Sequence, residues 1–263
     1  MCAAPGPELG GPVARGRTGS QSVERALSLV RCLAASDDDL GVTDVAARTG
    51  LSVSTAHRLL QALRADGLVA QDPRTERYHL GPGLVALGRR AEARVPFDHL
   101  VPALTALAAE TGESVSLGTR VGDEVLIVLH VDSPQPLRFD QPPGTFVPVH
   151  ASAIGKALLA FAPDPAAEVA ELAELGAFTA ATLTSRDALV ADLERTRQRG
   201  WALNDGERFA GVRTMAAPVL DAAGQAWAGL AIQGPAARLT DARLSELAPL
   251  LLGAVSTMET APA

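Results

Sequence analysis

Three hydroxyls, a guanidinium and an amide stand close together in "GLSVSTAHRLLQALRADGLV", residues 50 to 69: Ser52, Ser54, Thr55, Arg58 and Gln61. On a helix opened by Ser52, Ser54 and Arg58 fall one turn apart. Side chains of these types suit duplex DNA. Short hydroxyls reach phosphates or base edges, and an arginine grips guanine or phosphate with two parallel N–H bonds. Two more arginines, Arg74 and Arg77, follow in "DPRTERYHLG", where a hairpin would run beside the DNA backbone. Arg15 and Arg17 could add electrostatic contacts or enter a minor groove.

Catalytic chemistry finds less support. Gly155-Lys156 invites comparison with a phosphate-binding loop, but the first glycine of that motif is replaced by His150 and the closing Ser/Thr by Ala157. There is no G-x-S-x-G, C-x-x-C or H-E-x-x-H. The histidines, His57, His79, His99, His130 and His150, are scattered with no pair at ligand spacing. His130 and His150 read as satisfied within a sheet and a loop, and His57 as a surface residue. Cys2 and Cys32 build no disulfide framework, Cys32 falling on an apolar helix as a small buried side chain. The expectation is a non-enzyme with no cofactor and no metal.

These residues need elements to position them. "QSVERALSLVRCLAA" places Val23, Ala26, Leu27, Val30, Leu33 and Ala34 at helical spacing. Thr43 can cap a short helix over 44–48, and Gly50 supplies the turn. Ser52 opens a longer helix with Val53, Ala56, Leu59, Leu60 and Leu63 on one face, ended at Gly67. "LVAQ" and "RYHLG" read as two strands about a turn. Three helices and a hairpin make the winged helix-turn-helix plan. "PGLVALGRRAEAR" and "DHLVPALTALAAETG" read as helices. "ESVSLGTR" and "DEVLIVLHVDS" are an antiparallel strand pair, and "PQPLRFDQPPGTFVPVH" is a Pro-rich loop with little room for regular structure. A helix follows in "ASAIGKALLAF". Thr184 and Asp187 make a capping-box pattern ahead of a helix over 185–199. "WALND", "VRTMAAPVLD" and "AWAGLAIQGP" read as strands, the last two joined by an Ala-Gly turn, and a helix over 241–258 ends the pattern.

Charge divides along the same line. The net charge is −7, yet residues 15–90 hold 11 arginines against 8 acidic residues, a local charge of +3. The remainder, with 12 basic and 22 acidic residues, carries −10. Such segregation fits a nucleic-acid module joined to one that does not touch DNA. The expected organisation is α+β: a disordered Gly/Pro-rich arm (1–19), a winged helix-turn-helix domain (20–81), a helical linker (82–95) and a mixed domain able to hold a small molecule (96–263). No apolar run approaches the roughly 20 residues that span a bilayer, and no secretory h-region opens the chain. The cytoplasm is therefore the expected location.

Taken in order and spacing, "SVERALSLVRCL", "GLSVSTAHRLLQALRADGLV", "YHLG", "VPVHASAIGKALLAF" and "TLTSRDALVADLERTRQRGWALNDGERFAGVRTMAAPV" resemble the IclR family of bacterial transcriptional regulators, from about Ser20 to Met258. The resemblance implies a GAF-like effector-binding domain with a six-stranded antiparallel sheet. It also implies a homodimer or dimer of dimers on palindromic operators, acting as a repressor of nearby metabolic genes. The effector pocket would be lined by Ala153 and Ile154, whose backbone N–H groups can hold a carboxylate, and by Asn204, Val212, Thr214, Ala231 and Gln233. Family members that bind small polar acids often carry acidic or hydroxyl side chains where this chain has Asn204, Ala231 and Gln233. A larger or less charged ligand, an organic acid or aromatic metabolite, is expected instead. Gly206 also stands where an acidic residue often sits. Two other readings are an enzyme with a degenerate DNA-binding module, and a helix-turn-helix used for protein contacts.

Overall fold

The computed structural model describes residues 21–36, 38–92 and 97–258. The arm over 1–19, with Arg15, Arg17 and Cys2, and the last residues of the expected linker lie outside them. The chain divides into two compact units, residues 1–95 and 96–263.

In the first unit α1 (Gln21–Ala34), α2 (Val42–Thr49) and α3 (Val53–Ala65) precede a hairpin of β1 (Val69–Gln71) and β2 (Tyr78–Leu80), then α4 (Gly83–Glu92). The core gathers Leu29, Leu33, Leu40, Val45, Ala56, Leu60, Leu63, Val69 and Tyr78. On α1 the buried face is narrower than the sequence stripe. Ala26, Leu29, Val30 and Leu33 hold i, i+3, i+4, i+7 spacing against the core, while Val23 and Leu27 are 59% and 50% exposed. Cys32 is half-buried at the core's edge, not fully buried as expected. The N-cap of α2 is Gly41, not Thr43. Gly41 N donates to Asp44 Oδ2 at 3.2 Å and Val45 N to Gly41 O at 3.0 Å, so the helix starts earlier and Asp44 reaches back to close it. Gly50, at φ 67°, makes the left-handed turn between α2 and α3. Behind the hairpin Gly81 passes so close to Gly67 that a Cβ on it would lie 2.1 Å from Gly67 O.

The second unit is built on a six-stranded antiparallel sheet, ordered β5-β4-β3-β8-β7-β6. Its strands are β3 (Ser114–Val121), β4 (Glu124–Val131), β5 (Phe146–Pro148), β6 (Ala202–Asp205), β7 (Val212–Leu220) and β8 (Ala226–Pro235). The helices are α5 (Val101–Thr111), α6 (Ala153–Ala160), α7 (Pro165–Glu171), α8 (Arg186–Arg199) and α9 (Asp241–Ser256). Strand alternation assigns the faces. Met215, Ala217 and Val219 of β7 pack with α5 and α9, while Ala216 packs with α6 and α8. β5 appears inside the stretch read as pure loop. It lies at a sheet edge, where Pro148 needs no second ladder partner. The short helix α7, capped by Asp164, was not expected from the sequence. The cap of α8 is Ser185 rather than Thr184, its Oγ accepting from Ala188 N.

Helix α6 packs unusually closely on the turn that leads into it and on the sheet. A Cβ on Gly155 would lie 2.1 Å from Val149 O, and one on Gly229 would lie 2.8 Å from Ile154 Cγ2. Those two glycines set the depth at which the N-terminus of α6 sits over the sheet, and with it the cleft that opens there.

Candidate functional site

Two groups of residues expected from the sequence can be followed into the structure, one in each unit. In the first, Ser52 caps α3. Its Oγ accepts from Thr55 N at 3.3 Å and lies 2.8 Å from Thr55 Oγ1 and 3.2 Å from Ser54 Oγ. The three hydroxyls therefore form one cluster at the positive end of the helix dipole, which favours an approaching phosphate. Arg58 is exposed one turn further along. Gln61 belongs elsewhere: half-buried, its Nε2 donates to Tyr78 Oη at 3.1 Å and braces α3 against the hairpin. Its distance from the exposed face follows from the core position of its neighbour Leu60.

The hairpin tip is held by Asp72, whose Oδ1 accepts from Arg74 N at 2.6 Å and Thr75 N at 3.1 Å. Those backbone bonds hold the Asp72 carboxyl below its ordinary range. Glu76 takes the left-handed turn position at φ 57°. Arg74 is exposed at this tip. Arg77 is exposed too, but its Nη1 donates to Asp39 O at 2.8 Å, which sets its direction.

In the second unit a cleft that opens to solvent lies at the N-terminus of α6. Six of the seven expected residues line it: Ala153, Ile154, Asn204, Val212, Thr214 and Gln233. Ala231 does not. It is fully buried in the core beneath α6, with Ala216 and Ile154. Two of the polar side chains are already engaged. Asn204 Nδ2 donates to Ala151 O at 2.6 Å while its Oδ1 accepts from Glu207 N at 3.0 Å. Gln233 Nε2 donates to Ser116 Oγ at 2.9 Å. Ser152 caps α6 and spends its Oγ on Gly155 N at 3.1 Å, so Ala153 and Ile154 stand at the start of the helix, where backbone N–H groups lack intrahelical acceptors.

Sequence reasoning missed the residues that give the cleft its character. Phe139 and Phe209 line it with ring centroids 5.4 Å apart, and Ile127 and Val147 extend the apolar wall. Arg208 also lines it, with its Cζ 4.8 Å from the centre of the Phe209 ring. Burial pushes the Arg208 guanidinium down from its ordinary value, and no carboxylate among the described residues pairs with it. The signal was present in "NDGERFAG" as adjacent Arg and Phe in a loop between strands. Nothing periodic marks such a loop, so its direction could not be read.

Behind this loop lies a buried ion cluster. Lys156, 1% exposed, places Nζ 2.5 Å from Glu207 Oε1, 2.8 Å from Asp192 Oδ2 and 2.5 Å from Leu203 O. One ammonium serves two carboxyls, and they divide. Burial pushes the Glu207 carboxyl up, whereas at Asp192 burial is outweighed by the Lys156 charge and the carboxyl is held below the usual range. The cluster fastens the loop bearing Arg208 and Phe209 to α6. The Gly155-Lys156 pair is thus a structural anchor rather than a phosphate loop.

Comparison with known proteins bears on both units. The family model "IclR helix-turn-helix domain" matches residues 22–73, and "Bacterial transcriptional regulator IclR C-terminal" matches residues 97–260. The chain is 38% identical over 247 residues to the HTH-type transcriptional regulator BhcR of Paracoccus denitrificans, covering 93% of this chain and 88% of that protein. It is 31% identical over 245 residues to the transcriptional repressor IclR of Escherichia coli, covering 92% and 89%. An IclR homolog from Microbacterium hydrocarbonoxydans, solved in complex with 4-hydroxybenzoate, shares the fold with a TM-score of 0.74 at 21% identity, covering 90% of this chain and 97% of that one.

Proposed function

The chain belongs to the IclR family of bacterial transcriptional regulators, with a helix-turn-helix domain and an effector-binding domain, and from that premise we propose how it reads DNA and what it senses. The DNA-reading surface is the Ser52–Ser54–Thr55 hydroxyl cluster with Arg58, flanked by Arg74 and Arg77 on the hairpin. The protein acts as a homodimer or dimer of dimers, so paired half-sites follow from its symmetry. Exposed apolar residues on the helices of the first unit, Val23 and Leu27 on α1, Val85 and Leu87 on α4, favour self-association. It represses, as the Escherichia coli relative's name says of that protein.

The effector is an organic acid with an aromatic body. One observation carries this reading: a half-buried arginine, without a carboxylate partner among the described residues, lines a cleft walled by two phenylalanines. A partly desolvated cation is stabilised when an anion joins it. A carboxylate at the start of α6 would meet both the free N–H groups and Arg208, while its ring packed against Phe139 and Phe209. The Microbacterium homolog's 4-hydroxybenzoate is an acid of this class. By binding one arrangement of the effector domains better than another, the acid shifts the population that holds DNA.

The reading is tested by fluorescence anisotropy on the DNA upstream of the protein's own gene, across a salt series, with wild type and Arg58→Ala. Tight, salt-sensitive binding that resists competitor DNA and weakens in Arg58→Ala supports it. Binding that ignores salt, or is unchanged in the variant, counts against it.

A further inference from the structure

We infer that His130, Asp132 and Asp140 form a binding site for a divalent transition-metal ion of the zinc type, beside the effector cleft. The donor atoms of these three residues all lie within 4.8 Å of one another. His130 Nε2 is 3.3 Å from Asp132 Oδ1 and 3.7 Å from Asp140 Oδ1. Zinc bonds nitrogen and carboxylate oxygen at about 2.1 Å, so donors on a tetrahedron around it stand about 3.4 Å apart. The two measured separations bracket that value. One imidazole and two carboxylates form a donor set that suits zinc and its neighbours, with a fourth position left for water.

The surroundings of the three donors point the same way. The His130 side chain is 6% exposed, yet its ring edge bearing Nε2 faces the two carboxylates. Its other nitrogen is fixed from outside the cluster: Nδ1 lies 2.8 Å from Ser116 Oγ, which accepts from Gln233 Nε2 at 2.9 Å. With Ser116 Oγ accepting Nδ1–H on its second lone pair, ring orientation is set and Nε2 keeps its own lone pair directed outward, as metal-bound histidines require. Asp132 is oriented in turn by Arg138, whose Nε donates to Oδ1 at 3.2 Å. That oxygen has a second lone pair for a metal, and a hydrogen-bonded ligand carboxylate is the usual arrangement.

The position gives such a site consequence. Asp140 sits between Phe139 and Gln141, which both line the cleft, as does Gln233. Asp132 and Asp140 bracket the Pro-rich segment that leaves β4. An ion held by both and by His130 would clip that segment to the sheet and fix the Phe139 wall.

The test is isothermal titration of the chelator-treated full-length protein with zinc chloride, without DNA or acid, so that its failure is distinct from failure of the effector reading. Wild type should take up one zinc per chain. Asp140→Asn, whose side chain is 67% exposed and tolerates exchange, should weaken it by about tenfold or more, as should His130→Gln. His79→Gln, removing the separate exposed pair with Asp39, should leave it unchanged. Cobalt(II) added in place of zinc should give the visible absorption of a four- or five-coordinate ion in wild type only. Absence of zinc uptake by folded wild type would overturn the inference, as would uptake unaltered in Asp140→Asn and His130→Gln.

Discussion

Lys156, the chain's only lysine, holds its ammonium 2.5 Å from Glu207 Oε1 and joins α6 to the loop that carries Arg208. Both partners are nearly inaccessible, and Asp192 shares the same ammonium. Breaking such a cluster from one side leaves buried charge without compensation.

Lys156→Met is therefore expected to destabilise the second unit by about 3–5 kcal/mol, read as a fall in the denaturant midpoint. The double change Lys156→Met with Glu207→Leu should recover much of the loss, because Asp192 keeps Arg195 at 3.1 Å. A single variant as stable as wild type would remove the cluster's assigned role.

Gly155→Ala tests how closely α6 must pack on the turn that follows β5. The added methyl would sit 2.1 Å from a backbone oxygen of Val149, which no side-chain movement relieves. The expected outcome is a loss of several kcal/mol, about 3 or more, with the cleft distorted. Gly253→Ala, where the new Cβ meets nothing within 4 Å, is the control and should be tolerated.

The pH dependence of stability should carry the mark of His150. Burial lowers the affinity of its ring for a proton, and its Nε2 lies 3.0 Å from Gly176 O. The folded value is below the ordinary imidazole value of about 6.5, so the unfolded chain takes up the proton first. This contribution is constant above that value and falls as pH drops from it towards the folded value. Equilibrium unfolding between pH 7.5 and 5 in wild type and His150→Gln reads it directly. The variant should show a shallower decline, and parallel curves would remove His150 as the cause.

Much of this was legible in the sequence, for a physical reason. Helix α3 shows its Ser52 cap and periodicity locally, α8 its closing Gly200, and the strands around Gly224 and Gly122 announce their own turns. Six cleft residues were reached through family resemblance rather than chemistry. The placements the sequence did not show have a common source in tertiary context. Gln61 lies on α3 where the sequence places it, but only the folded hairpin brings Tyr78 to its amide. Ala231 is one position on the cleft side of β8 that α6 covers. β5 looked like loop because of its prolines, and becomes a strand because β4 supplies one partner edge. Arg208 and Phe209 sit in a loop with no period, and their convergence with Phe139 spans about seventy residues of chain.

Arg208 also separates binding from folding. Arg208→Met should bind an aromatic monocarboxylate at least about tenfold more weakly, since a charge-assisted contact contributes about 1.5–3 kcal/mol. It should not lose thermal stability, because the desolvated cation goes with the side chain. Differential scanning fluorimetry with and without acid reads both quantities. A variant that unfolds early yet binds acid normally would reverse the assignment.

The central claim is that an acid held at Arg208 controls the grip on DNA. The most direct measurement is anisotropy of a labelled operator with wild type and Arg208→Met at fixed salt, titrated with 4-hydroxybenzoate and, separately, with benzyl alcohol as an uncharged ring. The expected result is equal affinity for DNA without ligand, a shift with the acid in wild type alone, and none with the alcohol. An acid response of the same size in Arg208→Met, or no response to any aromatic acid in wild type, would contradict it.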